Sequence, residues 1–121
     1  MNDFVEQTLS GITNSNNEIV SVLWMNYEGE DDAYITYEMI GNSHALDADD
    51  TVQDVLIIYD IDIFSKNNYN KIRKQVYEKM MAAGFIWVEE SKDMYEEDTQ
   101  YHHKTITFKI ERSLEEWLTS D

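Results

Sequence analysis

The chain has 121 residues, enough for one domain with a single core. Its 25 acidic and 9 basic residues give a net charge of −16, which opposes binding to nucleic-acid phosphates, while 42% apolar residues exclude a disordered chain. The absence of cysteine excludes disulfides and thiolate chemistry, and no apolar run or basic leader indicates a membrane span or a secretory signal. We therefore expect a soluble, cytosolic, acidic protein.

The first third of the chain predicts one helix and two strands. Apolar residues recur at helical spacing between residues 2 and 12, which predicts an N-terminal helix that ends by residue 13. The segments 19–25 and 33–40 have strand character, and an acidic turn with a glycine joins them, so we expect a hairpin. Residues 41–50 lose periodicity and gain charge, which predicts a surface loop.

Residues 55–85 predict a strand, a turn and a helix around which the rest is built. Along the strand, one face is wholly apolar, and the other becomes acidic at Asp60 and Asp62, which indicates that this face opens to solvent or to a partner. The turn 65–68 supplies candidate N-cap residues, and Gly84 stands where a left-handed C-cap is needed. The apolar stripe of the helix consists of Tyr69, Ile72, Val76 and Met80.

The C-terminal third predicts two strands and a short helix. Residues 85–89 suit a strand, residues 90–100 form a second acidic loop, and alternation resumes at His102. Ser113 and Glu116 match a capping box that begins a short C-terminal helix. The predicted fold is a single-domain α+β sandwich, with a mostly antiparallel sheet of four to five strands and helices on one face.

Three groups of residues could carry metal or acid–base chemistry, and for each we favour a structural role. Asp60 and Asp62 share a strand face and could hold Mg²⁺ or act as an acid–base pair, yet they also fit the solvent-facing half of an amphipathic strand. The adjacent His102 and His103 point to opposite faces and cannot share an ion without help. The loop 47–50 lacks the glycine and distant glutamate of a calcium loop. We predict no enzyme, no catalytic residue, no cofactor and no metal site.

Five aromatic residues outside the predicted central unit are expected mostly in the core, although any that are exposed would suit an interface. They are Trp24, Tyr27, Tyr34, Tyr95 and Trp117.

A series of short segments between residues 30 and 110 resembles a known family. The segments are DAYITY (32–37), ADD (48–50), DIDIFSKNNY (60–69), AGF (83–85), YEEDT (95–99) and YHHK (101–104). In order and spacing they resemble the tail completion or tail terminator proteins of siphophages and prophages of Gram-positive bacteria. Asn67 stands where that family's turn has glycine, and residues 114–121 extend beyond the matching part.

The resemblance implies a small α+β subunit that forms a ring, usually a hexamer. Such a ring closes the tail tube at its head-proximal end and docks on the head connector, first in the bacterial cytoplasm and then in the virion tail. Neither catalysis, nor specific nucleic-acid binding, nor a membrane is implied. Two alternatives remain open: a free acidic binding module such as a DNA mimic, and a metal-dependent hydrolase that uses Asp60 and Asp62.

Candidate interface or lumen residues lie in the acidic loops and on the basic surface of the central helix. An acidic lumen would let DNA pass without a binding minimum for its phosphates, and the helix could neutralise a neighbouring subunit. The candidates are Glu28, Glu30, Asp31, Asp32, Asp47, Asp49, Asp50, Asp54, Arg73 and Lys74.

Overall fold

The computed structural model describes residues 1–45 and 54–120. The elements in chain order are α1 (Asn2–Leu9), β1 (Ser21–Trp24), β2 (Ala33–Ala45), β3 (Asp54–Ser65), α2 (Asn70–Ala82), β4 (Ile86–Glu90), β5 (Met94–Glu96), β6 (Tyr101–Ser113) and α3 (Leu114–Thr119). The predicted α+β class is confirmed, with one mixed sheet of six strands among the described residues.

The long strand β3 forms the centre of the sheet. The strand order is β1-β2-β3-β6-β4, and β3 pairs antiparallel with β2 on one side and with β6 on the other along its whole length. The short strands β4 and β5 follow one another along the far side of β6. The two edges of the sheet are therefore β1 on one side and β4 with β5 on the other.

The helices pack on one face of the sheet, which we call the helix face. Alternate residues of β3 point to it, and they are buried together with Val5 and Leu9 of α1 and with Ile72, Val76 and Met80 of α2. Trp117 of α3 packs against the same cluster. The opposite face, to which Leu56, Ile58, Asp60, Asp62 and Phe64 point, we call the open face. Burial of the predicted helical stripe confirms the strand–helix unit at the centre of the fold.

The predicted hairpin between the first two strands is wrong, because β1 and β2 pair in parallel. Parallel neighbours ordinarily need a connection of a dozen or more residues, but β1 is only four residues long, so residues 25–32 suffice to lead the chain back. Met25 turns the chain with a positive φ of 63°. Tyr27 then stacks on Tyr34, with the ring centroids 4.1 Å apart, which fixes the returning segment against the sheet.

Several element boundaries in the structure also differ from the predicted ones. Helix α1 ends at Leu9, although Ile12 is still buried, and Tyr69 is the N-cap of α2 instead of a residue of the turn 65–68. Strand β2 runs on through residues predicted as loop, because a bulge after Met39 lets it follow β3 to Ala45. The rest of that predicted loop, residues 46–50, lies outside the described residues.

The C-terminal part holds one unpredicted strand and two confirmed caps. Strand β5 lies within the predicted acidic loop and pairs with the start of β6. Gly84 has a φ of 100° directly after the C-cap of α2, a conformation that L side chains rarely adopt. At the start of α3, Ser113 and Glu116 form the predicted capping box. None of the described helices is long and apolar enough to cross a membrane.

Candidate interaction surfaces

Strand β4 presents three consecutive large apolar residues to solvent. Ile86, Trp87 and Val88 are 58%, 49% and 43% exposed. Trp87 lies on the helix face, where its ring is 6.2 Å from that of Tyr77, while Ile86 opposes Lys109 on the open face. The first three residues of β4 thus make the edge of the sheet apolar on both of its faces, before Glu89 and Glu90 end the strand.

A groove between α2 and β4 holds one of the two basic residues proposed for an interface. Its volume is about 470 Å³, and the Arg73 guanidinium lies in it. Arg73 Nε and Nη2 donate to Oε1 and Oε2 of the Glu90 carboxylate. Tyr77 also donates to Glu90, at 3.2 Å. Arg73 is the main cause that lowers the pKa of Glu90. The positive charge of Arg73 is therefore paired with a carboxylate of its own subunit.

The other predicted basic residue, Lys74, is exposed on the rim of the same groove. It forms no ion pair with a carboxylate in the described part of the chain. Lys92, two residues beyond β4, is likewise exposed and unpaired among these residues. Two cations that could meet a neighbour's carboxylates thus lie near the β4 edge.

The β1 edge combines exposed apolar residues with an acidic segment. Ile19, Trp24 and Met25 are 76%, 57% and 55% exposed. The predicted interface residues of the adjacent segment 27–32 are all exposed: Glu28, Glu30, Asp31 and Asp32. Asp31 is held beside the strand, since Ser21 Oγ donates to its carboxylate at 3.1 Å and its own amide donates to the Tyr27 hydroxyl at 3.0 Å.

The open face carries the two aspartates for which we considered metal or acid–base chemistry. Thr107 donates to Asp60 and Thr105 donates to Asp62, both at 2.5 Å. His103 Nε2 lies 3.0 Å from Asp62. Burial raises the pKa of Asp60, and the carboxylates of Asp62 and Glu89 add to this, while the Thr107 hydrogen bond opposes it. Neighbouring side chains of the sheet thus occupy both carboxylates, which supports the structural interpretation.

An aromatic stack continues the open face toward the acidic segment. Phe64 stacks on Tyr34 at 4.6 Å and on His103 at 4.1 Å between ring centroids, and burial raises the pKa of Tyr34 to about 12. His102 instead lies on the helix face beside Tyr95, at 4.9 Å, so the two histidines do point to opposite faces as predicted. No group of three potential metal ligands occurs among residues 1–45 and 54–120.

The predicted acidic residues do not form one patch. Asp54 begins β3, whereas the segment 27–32 lies near the other end of that strand, roughly 36 Å away for eleven residue steps. Asp47, Asp49 and Asp50 lie outside the described residues. The sequence analysis missed the β4 edge, although its run of large apolar residues was a signal. It also placed Trp24 and Tyr95 in the core, yet they are 57% and 53% exposed, which agrees with the interface alternative.

No protein-family model matches the chain, and no curated protein is significantly similar to it. What the chain does must therefore be argued from its own residues and geometry.

Proposed function

We propose that the chain is a structural subunit that forms a ring and completes a phage tail at the head–tail junction, as the segment resemblance implies. The observation that supports this best is the presence of two unlike association surfaces at opposite edges of one sheet. The β4 edge is apolar with Lys74 and Lys92 nearby, and the β1 edge is apolar with four exposed carboxylates. Identical subunits that join through two different surfaces associate head to tail, and such contacts generate rings when the rotation closes.

The charge of the chain predicts how this assembly depends on conditions. A hexamer would gather about a hundred negative charges, and their repulsion weakens as added salt shortens the screening length from about 30 Å at 0.01 M to about 8 Å at 0.15 M. An assembled ring with acidic walls also offers DNA no binding minimum while it passes. We therefore expect association to increase with ionic strength and with divalent cations.

Sedimentation velocity tests the proposal. We expect a monomer in dilute low-salt buffer, and closed rings when salt, Mg²⁺ or purified tail tubes are added, with ring closure checked by electron microscopy. The proposal would be overturned by a monomer under all of these conditions that also fails to bind tail tubes. A free acidic module, such as a DNA mimic, would then be the better explanation, and competition with DNA for a nuclease would test it.

The binding role also predicts the outcome of removing the two open-face carboxylates. The double variant Asp60→Asn and Asp62→Asn should keep ring formation, because both side chains are occupied by threonines within the sheet. Assays with Mg²⁺ on DNA and on phosphate esters should detect no turnover in the natural protein. Activity that disappears in the double variant would contradict the binding role and favour a metal-dependent hydrolase.

A further inference from the structure

We propose that β4 of one subunit pairs with β1 of the next subunit as an added strand, so that neighbouring sheets join into one sheet across each interface. This inference rests on the proposed ring, and it names the surface that builds the ring.

The exposure of β4 indicates a strand as its cover. A helix or loop that docked on one face of the sheet could cover Trp87 or Ile86 but not both, because these neighbours point to opposite faces. An added strand covers both faces of the edge at once and also pairs the edge backbone. Edge strands are commonly protected by charged residues, proline, bulges or brevity. Strand β4 has a bulge after Trp87 and glutamates at its last two positions, but Ile86, Trp87 and Val88 carry no charge and no proline.

A second copy of the chain offers a matching strand. Strand β1 is the opposite edge of the same sheet, its four residues are close in length to the five of β4, and it also carries exposed large apolar residues. Lys74 and Lys92 are the charges near β4 that match this choice, whereas the exposed Glu89 of β4 does not. The segment beside β1 exposes four carboxylates, and the β4 edge has Lys74 and Lys92 without carboxylate partners among the described residues.

The topology gives the direction of the pair. Strands β2 and β6 run the same way because both are antiparallel to β3; β1 is parallel to β2, and β4 is antiparallel to β6. Strands β1 and β4 of one subunit therefore run in opposite directions. When neighbouring copies keep the same orientation, with their helix faces on the same side, β4 meets the next β1 as an antiparallel neighbour.

Two edge variants and their mixture test the inference. The β4-edge variant carries Ile86→Asp and Val88→Asp, and the β1-edge variant carries Trp24→Asp and Met25→Asp. Under conditions in which the natural protein forms rings, each variant alone should be monomeric, with association weakened at least about a hundredfold. An equimolar mixture should form a 1:1 dimer that does not grow, because it retains one intact interface and two blocked edges.

The control is Leu118→Asp, which replaces a residue of α3 that is 71% exposed and lines a pocket with Met39 of β2 and Tyr59 of β3. This variant should form rings like the natural protein. Hydrogen exchange should slow at backbone amides of β1 and β4 on assembly, which a contact through side chains alone would not produce. If an edge variant loses its circular dichroism signal, Ile86→Asp or Trp24→Asp alone replaces it.

Each contrary outcome has its own meaning. Rings formed by both edge variants with unchanged affinity would overturn the strand pairing and leave the ring proposal intact. A β1-edge variant that still dimerises by itself would show a twofold β4–β4 contact and would overturn the β1–β4 pair. A natural protein that stays monomeric under every condition would overturn the ring and the pairing together.

Discussion

The two faces of β3 differ in how deeply their residues are buried and in what those residues contact. The residues that point to the helix face are at most 4% exposed, and they meet an apolar layer built by α1, α2 and α3. The residues that point to the open face are half-buried, and they meet threonines, a histidine and an aromatic stack within the sheet itself. The helix face therefore supplies most of the stability, and we expect the open face to tolerate far more change.

The pKa values of two carboxylates, one on each face, shift in opposite directions. On the helix face, Arg73 holds the pKa of Glu90 below its ordinary value of 4.5. On the open face, burial holds the pKa of Asp60 above its ordinary value of 3.8. Ionised Glu90 thus stabilises the fold and ionised Asp60 opposes it, so variants at the two positions should change stability in opposite directions.

The largest expected effect is on the helix face. Val76→Asp should unfold the domain, because an unpaired charge at a position with no exposed surface costs about 4 kcal/mol or more out of a total stability of about 5–15 kcal/mol. Urea denaturation followed by circular dichroism measures this. Glu78→Asp on the exposed side of the same helix is the control, with a change within about 0.5 kcal/mol. A native-like melting temperature for Val76→Asp would contradict the placement of α2.

The next effect concerns the ion pair at the side of the helix face. Glu90→Gln should cost about 1–2 kcal/mol at pH 7, between the values typical of exposed and of buried pairs, since the Glu90 side chain is 14% exposed. A group with a lowered folded pKa stabilises fully above its unfolded pKa, and this contribution disappears as the pH falls through the folded pKa. The difference from the natural protein should therefore shrink below pH 4.5. A difference that stays constant down to pH 3 would contradict this role.

A smaller effect of opposite sign is expected on the open face. A raised folded pKa means that stability falls as the pH rises from 3.8 through the folded pKa of Asp60 and then stays level. Asp60→Asn removes this loss, so it should be neutral or stabilise by up to about 1 kcal/mol at pH 7, with no gain at pH 3. Thermal melts at both pH values measure it. A large loss of stability at pH 7 would show that ionised Asp60 supports the fold.

The smallest effect on stability, paired with an effect on assembly, is expected at Lys74. Lys74→Glu should change the free energy of unfolding by less than about 0.5 kcal/mol, because the side chain is exposed and unpaired among the described residues, yet it should weaken ring formation. Arg73→Glu is the contrast. It should lower stability as well, because it removes the hydrogen-bonded partner of Glu90. Equal losses of stability in the two variants would contradict the different environments of these neighbours.

Long periodic segments made the centre of the fold predictable. Ten alternating residues of β3 and more than three turns of α2 each repeat the same signal, and the capping box at Ser113 is a local motif with its own hydrogen bonds. The parallel pairing of β1 was not predictable in this way. It depends on Tyr27 reaching Tyr34, a contact that no periodic pattern encodes.

The candidate surfaces were less predictable for a related reason. Charge in the segment 27–32 was visible in the sequence, but the partner of Arg73 was not, because Glu90 is seventeen residues away and reaches it only through the packing of β4 beside α2. Trp24 and Tyr95 are apolar enough for a core, so composition favoured burial. Only the strand order shows that their strands lie at the edges of the sheet.

The pairing of β3 with β6 also has a consequence for synthesis on the ribosome. Residues 54–65 leave the exit tunnel well before residues 102–113. One side of the central strand therefore stays unpaired until almost the whole chain has emerged. Sheets that depend on such distant pairs fold slowly compared with helical domains. A nascent chain halted before Tyr101 would expose the apolar strand 54–65 as an unpaired edge. We expect such fragments to aggregate or to need a chaperone, and full-length chains to become resistant to protease only after release.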